Sequence, residues 1–228
     1  MQNEDQVKAH FRKQAVRFDT IYEDEKRLWQ KFVDKFFRQV VKDRFDLTFR
    51  EITELKGKSI LDVGCGSGRY ALEFARRGAD RIIGIDYAQE MIELAKGYAE
   101  NMKEKAKCRF VCGHFTDHDF REQFDYTVAM GLFDYLKNPS VYLTKMKSLT
   151  RSKIIASFPK KWTLRSLIRK IRLFLAGCPV YFYSQGEVEK LLKENQISQY
   201  KIFDLSRDFI IIAQIGQGDQ RLIFKQIE

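Results

Sequence analysis

Glycine and proline are missing from the first 56 residues, and the whole chain has only three prolines and four cysteines. These two residues are the strongest local breakers, so their absence leaves the stretch from about Gln6 to Leu55 free to be largely helical. The cysteines (Cys65, Cys108, Cys112, Cys178) are too few and too scattered for a disulfide framework. No run approaches the roughly 18 consecutive apolar residues of a membrane-spanning helix. The opening residues are polar and acidic, unlike the basic and then apolar start of a secretory signal. Together these absences predict a soluble, cytoplasmic protein. Acid is missing in one place as well: Tyr135 to Gly186 contains no Asp or Glu but eleven Lys and Arg. Taking those eleven from the net charge of +10 leaves −1 for the rest of the chain. The basicity is therefore a local feature.

What is present fits one domain with an elaboration. The chain has 228 residues, of which 44% are hydrophobic, enough for a substantial core. Trp29, Phe32, Val33, Phe36, Phe37, Val40 and Val41 recur at helical spacing, with Lys31, Asp34, Lys35 and Arg38 opposite. Phe11, Phe18 and Tyr22 sit among charges with looser periodicity, as in a segment that covers a pocket. Residues 1–56 thus form an expected N-terminal helical extension or lid, and 57–228 the main domain.

From Lys58 the pattern alternates. Ser59–Val63, Arg81–Asp86, Cys108–Cys112, Phe124–Met130 and Lys153–Phe158 read as buried strands. Helices are expected at Arg69–Arg77, about Gln89–Glu104, Ser140–Leu149 and, behind a capping box at Ser184 and Glu187, up to about Asn195. Such alternation implies an α/β fold with a mostly parallel, doubly wound (Rossmann-like) sheet. Two last strands, Gln199–Leu205 and Phe209–Gln214, are too close for a crossover helix and should form an antiparallel hairpin, making seven strands.

The segment from Asp62 to Gly68 reads D-x-G-x-G-x-G where a strand turns into a helix. Glycines there let the backbone turn tightly and approach a ligand, and the helix N-terminus offers N–H groups to an anionic part of it. Asp86 ends the next strand, where a carboxylate can accept hydrogen bonds from ribose hydroxyls. The dinucleotide fingerprint G-x-G-x-x-G/A is broken by Arg69, and the phosphate-loop motif is absent.

These residues resemble the class I S-adenosyl-L-methionine-dependent methyltransferases. Leu61 to Tyr70 (LDVGCGSGRY) is similar to their first motif and Ile83 to Asp86 (IGID) to their second, and the hairpin ending resembles their reversed seventh strand. The resemblance implies that S-adenosyl-L-methionine is the cofactor. It places Gly64, Cys65, Gly66 and Gly68 against the methionine end, Asp62 near its amino group, Asp86 on the ribose and Tyr87 along the adenine. Where the family often has Gly-Asp after its third strand this chain has Gly113 and His114. The Phe115 backbone or His114 is the expected replacement. Met130 and Tyr22 complete the implied cofactor set.

The run after the fourth strand, Met130 to Tyr135 (MGLFDY), faces cofactor and acceptor in this family, which often has a histidine where Asp134 stands. Asp134 is the expected base or acceptor contact, with Tyr135 and His114 as further catalytic candidates; a helix cap or surface carboxylate is the plainer role for Asp134. Cys108 and Cys112 lack a second Cys/His pair, so buried structural thiols are expected rather than a metal site. A helical insertion at 159–183 carries Leu164, Leu167, Ile168, Ile171 and Leu175 on one face and most of its arginines elsewhere. It reads first as a cap packed on the domain, and otherwise as a surface helix meeting anionic membrane through 160–176 or as a platform for an acidic acceptor, including nucleic acid. Its layout has a weak similarity to the magnesium-protoporphyrin O-methyltransferases, which tilts the expectation toward a small acidic or amphiphilic acceptor methylated at oxygen. RNA methylation and a non-catalytic cofactor-binding subunit are the alternatives. Against nucleic acid, the [DN]-P-P-[YF] motif of base-amino methylation is missing at Met130–Phe133.

Overall fold

The computed structural model describes residues 42–103, 107–161 and 179–216. Tyr22, His10, Cys178, most of the N-terminal extension and the core of the basic insertion lie outside the described residues. The elements in order are α1 (residues 42–51), β1 (Ser59–Val63), α2 (Arg69–Arg76), β2 (Arg81–Asp86), α3 (Gln89–Glu100), β3 (Cys108–Cys112), β4 (Phe124–Ala129), a 3-10 turn (Phe133–Tyr135), α4 (Pro139–Leu149), β5 (Thr150–Pro159), α5 (Gln185–Glu194), β6 (Tyr200–Asp204) and β7 (Asp208–Gln214).

The strands form one sheet in the order β3-β2-β1-β4-β5-β7-β6. β1 to β5 pair in parallel, while β7 runs antiparallel to both β5 and β6. The expected hairpin ending is therefore present. β7 inserts beside β5, so Asp208 at its start lies opposite Pro159 at the end of β5.

Alternate strand residues feed two cores, as the twofold period of a strand requires. Ile60, Ile82, Val128, Ile155 and Ile210 pack on α1, α2 and α3 through Leu47, Phe74 and Ile92. Leu61, Val63, Ile154, Ala156 and Ile211 pack on α4 and α5 through Leu143, Met146, Val188 and Leu192. Both sheet faces are covered, which explains why β1 is buried at every position and β7 at all but its last.

Several boundaries differ from expectation; β5 begins at Thr150 rather than Lys153 and runs to Pro159. α1 stops at residue 51, because Ile52 and Leu55 must both be buried under the sheet and the chain turns at Gly57, φ +74°, to enter β1. α3 ends at Glu100, one residue after its last buried side chain, Ala99. The capping box of α5 is present, Ser184 Oγ accepting from the Glu187 N–H and Glu187 receiving the Ser184 N–H.

Candidate active site at the carboxyl edge of the sheet

The chain order reverses between β1 and β4, the switch point where open α/β sheets leave a crevice at their carboxyl ends. The glycine loop follows β1 at this point. The Gly64 and Cys65 N–H groups both donate to the Ile85 carbonyl, at 2.8 and 3.1 Å, and Gly68 N–H closes the turn on the Cys65 carbonyl at 2.9 Å. Gly68 is the N-cap of α2 at φ +80° and has no side chain to cap it. A Cβ there would meet the Phe110 ring at 2.9 Å, so glycine is demanded twice, by conformation and by space. Gly66, at φ +52°, is different: a Cβ would meet only the Met91 methyl, at 3.8 Å. Its bare backbone borders open space, as a cradle for a ligand does.

Two buried carboxylates frame this loop. Asp62, within β1, takes over the missing cap: its Oδ2 accepts the Ala71 N–H in the first turn of α2 at 3.2 Å. Burial pushes its pKa up to about 7; the Ala71 hydrogen bond pulls the other way and the charge of Asp86 adds a smaller upward push. Asp86 ends β2 and accepts the Gly66 N–H on Oδ2 and the Ala88 N–H on Oδ1, both at 2.9 Å. Burial raises its pKa too, against these hydrogen bonds. The Tyr87 backbone N–H is a third donor to this carboxylate, so of about four acceptor positions one is left for a ribose hydroxyl.

Beyond Asp86, Tyr87 stacks on His114 at 5.9 Å and 15°, and the Gly113 N–H donates to the Asp86 carbonyl at 2.9 Å. The β3 loop is thereby drawn to the end of β2. Phe115 has its ring buried away from this edge, among Phe120 and Tyr142, so its backbone is the part near the site. Cys65 likewise turns its side chain inward, against Gly84. Cys112 is exposed rather than buried, because β3 is an edge strand; Cys108 is half-buried beside α2, its Sγ near the Ala71 carbonyl.

On the other side of the switch point, the Gly131 N–H donates to Ser157 Oγ at 2.7 Å, and Leu132 packs where a Cβ on Gly64 would stand. Met130, half-buried, borders the α1–α3 core. Asp134 is 2% exposed and its carbonyl accepts the Tyr181 N–H at 2.8 Å, while Tyr135 closes the turn on Leu132. Asp134 is therefore neither a surface carboxylate nor a helix cap. Sequence reasoning missed its neighbour. Arg44 of α1 forms a bidentate pair with Asp208 of β7, at 2.5 and 2.7 Å, and its Nη1 lies 3.3 Å from the Cβ position of Gly131. Burial alone would lower the Arg44 pKa, but the charges of Asp208 and then Asp134 outweigh it and raise it. The only signal in the sequence was an acid placed directly before the apolar run of β7.

The basic stretch is partly accounted for by structure. Lys160 and Lys161 pair with Asp204 and Glu187, Lys153 donates to the Glu51 carbonyl, Lys147 to the Asn195 and Gln196 carbonyls at the end of α5, and Lys145 to the Thr116 and His118 carbonyls. Arg165, Arg169, Lys170 and Arg172 fall outside the described residues. Among the described residues no helix is long and apolar enough to cross a membrane, and no group of three or more His, Cys, Asp or Glu could hold a metal ion.

Residues 60–153 match the family model described as "Methyltransferase domain". A ubiquinone biosynthesis O-methyltransferase of Nitrobacter winogradskyi is 31% identical over 117 residues, covering 51% of this chain and 44% of that protein. A magnesium-protoporphyrin O-methyltransferase of Rhodobacter capsulatus is 34% identical over 110 residues, 47% and 48% of the two chains. The chain spans about half the length of the curated relatives it matches. Among solved structures, the magnesium protoporphyrin IX methyltransferase of Synechocystis PCC 6803 with bound SAH superposes with a TM-score of 0.68 at 21% identity, over 87% of this chain and 93% of that one; at that identity the likeness concerns the fold.

Proposed function

We propose that this chain, which carries the methyltransferase domain and the fold of the class I S-adenosylmethionine-dependent methyltransferases, transfers a methyl group from S-adenosylmethionine to an oxygen of a small molecule. The observation that carries the reading is the glycine loop held between two desolvated carboxylates, Asp62 and Asp86, at the sheet's switch point. The fit is chemical. Asp62 is a buried carboxylate that a ligand ammonium group would neutralise. Asp86 keeps an acceptor position for a ribose hydroxyl beside its three backbone donors, and the backbone at Gly66 leaves room for the methionine end. Tyr87 and His114 offer stacked ring faces to the adenine, and the Phe115 backbone its edge. The cofactor supplies a methyl group already activated on a sulfonium centre.

The protein's contribution is then mostly positional. Holding the acceptor oxygen in line with that methyl group converts a bimolecular step into an effectively unimolecular one. Met130, Leu132 and the Phe133–Tyr135 turn form the wall between the two ligands. A base is needed only if the acceptor must lose a proton. Asp134 is our candidate for that base, with Tyr135 as an acceptor contact.

The acceptor is an acidic or amphiphilic small molecule in this reading. The named relatives are a ubiquinone biosynthesis O-methyltransferase and a magnesium-protoporphyrin O-methyltransferase, and the stretch from Tyr135 to Gly186 carries eleven positive charges and no acid. Peripheral contact of residues 160–176 with anionic membrane fits such an acceptor. The test is transfer of labelled methyl to small phenolic and carboxylic acids, to a lipid extract and to RNA, assayed side by side. Label in the acids or the lipid fraction is expected; label in RNA alone would overturn the small-molecule reading.

A further inference from the structure

Lys145 is distinctive among the described basic residues of the acid-free stretch, because its ammonium group meets two carbonyls and two rings of one loop. Its Nζ donates to the Thr116 carbonyl at 2.8 Å and the His118 carbonyl at 2.6 Å. The same ammonium lies 5.3 Å from the centre of the Phe115 ring and 5.7 Å from that of Phe120. Those rings pack on each other at 5.8 Å, Phe115 also on Tyr142 of α4 at 5.6 Å and Phe120 on His118 at 4.5 Å. Residues 114–118 make a single turn, the Asp117 and His118 N–H groups both donating to the His114 carbonyl, and Lys145 binds carbonyls at the far end of that turn. Its near end is the Gly113–His114 pair, tied to Asp86 and stacked on Tyr87.

A cation that satisfies two carbonyls and covers two aromatic faces is worth more than a surface charge. It fixes the loop against α4. The loop in turn is the only link between α4 and the edge at Asp86 that these contacts describe. Lys147, two positions along the same helix, shows the contrast: it is buried and donates to the Asn195 and Gln196 carbonyls, which lie at the end of α5 and away from the carboxyl edge.

We propose that Lys145 is a positioning residue for the adenine end of the cofactor site: it holds the 113–118 loop so that His114 and the Phe115 backbone meet the base at a fixed distance from Tyr87. The proposal rests on the S-adenosylmethionine reading above. It gives a specific duty to a residue that the sequence showed only as one more positive charge.

The test titrates S-adenosylhomocysteine and S-inosylhomocysteine, in which hypoxanthine replaces adenine, into the full chain and into Lys145→Met, Lys145→Gln, Lys145→Arg and Lys147→Met, with Tm measured for each. Lys145→Met should weaken S-adenosylhomocysteine about tenfold, the order of one charged hydrogen bond, and should reduce the preference for adenine over hypoxanthine at least threefold. Lys145→Gln, which keeps a donor, should fall between, and Lys145→Arg should restore both quantities. Lys147→Met should lower Tm and leave the preference unchanged. The proposal is overturned if Lys145→Met or Lys145→Gln weakens both ligands equally, or changes neither. If the unmodified chain binds neither ligand, the cofactor reading itself fails and this proposal goes with it; an unchanged preference with intact binding removes Lys145 alone.

Discussion

Replacing Asp86 by alanine should break the cofactor site while leaving the sheet intact. Asp86 accepts two backbone N–H groups at 2.9 Å, from Gly66 in the glycine loop and Ala88 at the start of α3, draws on a third at Tyr87, and in our reading binds the ribose as well. A hydrogen bond to a charged group contributes about 1.5–3 kcal/mol. Such bonds are not additive, and the freed Gly66 N–H can be rehydrated in the open cradle. The net loss should thus be near that of one bond, a weakening of S-adenosylhomocysteine by about tenfold to a hundredfold. Calorimetry with the 2′-deoxy analogue separates this from a loosened loop. In the unmodified chain the missing hydroxyl should cost about tenfold; in Asp86→Ala it should cost almost nothing, because its partner is gone. Equal affinity of the variant and the parent, or an undiminished penalty for the deoxy analogue, would refute the ribose role.

Further outcomes follow from the two buried charge systems. Asp62 and Asp86 have folded-state pKa values raised by burial, so their contribution to stability is full below about pH 4 and is lost as pH rises, for Asp62 through about 7. The cofactor-free chain should therefore lose Tm between pH 5 and 8 relative to Asp62→Asn, and a parallel pair of Tm curves would contradict this. An ammonium ligand lowers the Asp62 pKa again, so S-adenosylmethionine binding at pH 6 should release protons, read as a dependence of the binding enthalpy on the buffer's ionisation enthalpy; that dependence should shrink in Asp62→Asn. Arg44→Met leaves Asp208, 1% exposed, without its guanidinium and should cost about 3 kcal/mol in denaturant unfolding, with much of it recovered in Arg44→Met combined with Asp208→Leu. No recovery in the double variant would show that the pair does more than neutralise itself.

Most of the fold was legible because its signals are local. Strands β1, β2 and β3 were delimited by apolar runs between breakers, and the three-residue link before β7 forced a hairpin whatever the rest of the sheet did. The geometry of the candidate edge was legible for the same reason: D-x-G-x-G-x-G and the acid ending the next strand are short-range patterns that follow from a strand–turn–helix. What was not legible depends on long-range pairing. Arg44 and Asp208 are 164 residues apart, and no periodicity connects a charge in a helix with an acid that looked like part of a turn. Lys145 was hidden inside a count of positive charges, its role depending on a loop 27 to 29 residues earlier. Asp62 carried a double meaning that only the structure separates: it caps α2 in place of Gly68, so its presence is explained in part before any ligand is considered.

The central claim is that the edge framed by Asp62, the glycine loop and Asp86 binds S-adenosylmethionine. Calorimetric titration of the full chain with S-adenosylmethionine, S-adenosylhomocysteine and NAD tests it most directly. The account predicts saturable one-to-one binding of the first two and none of NAD, because Arg69 stands where the dinucleotide fingerprint needs a small residue. Binding of NAD, or no binding of either adenosyl compound, would contradict it.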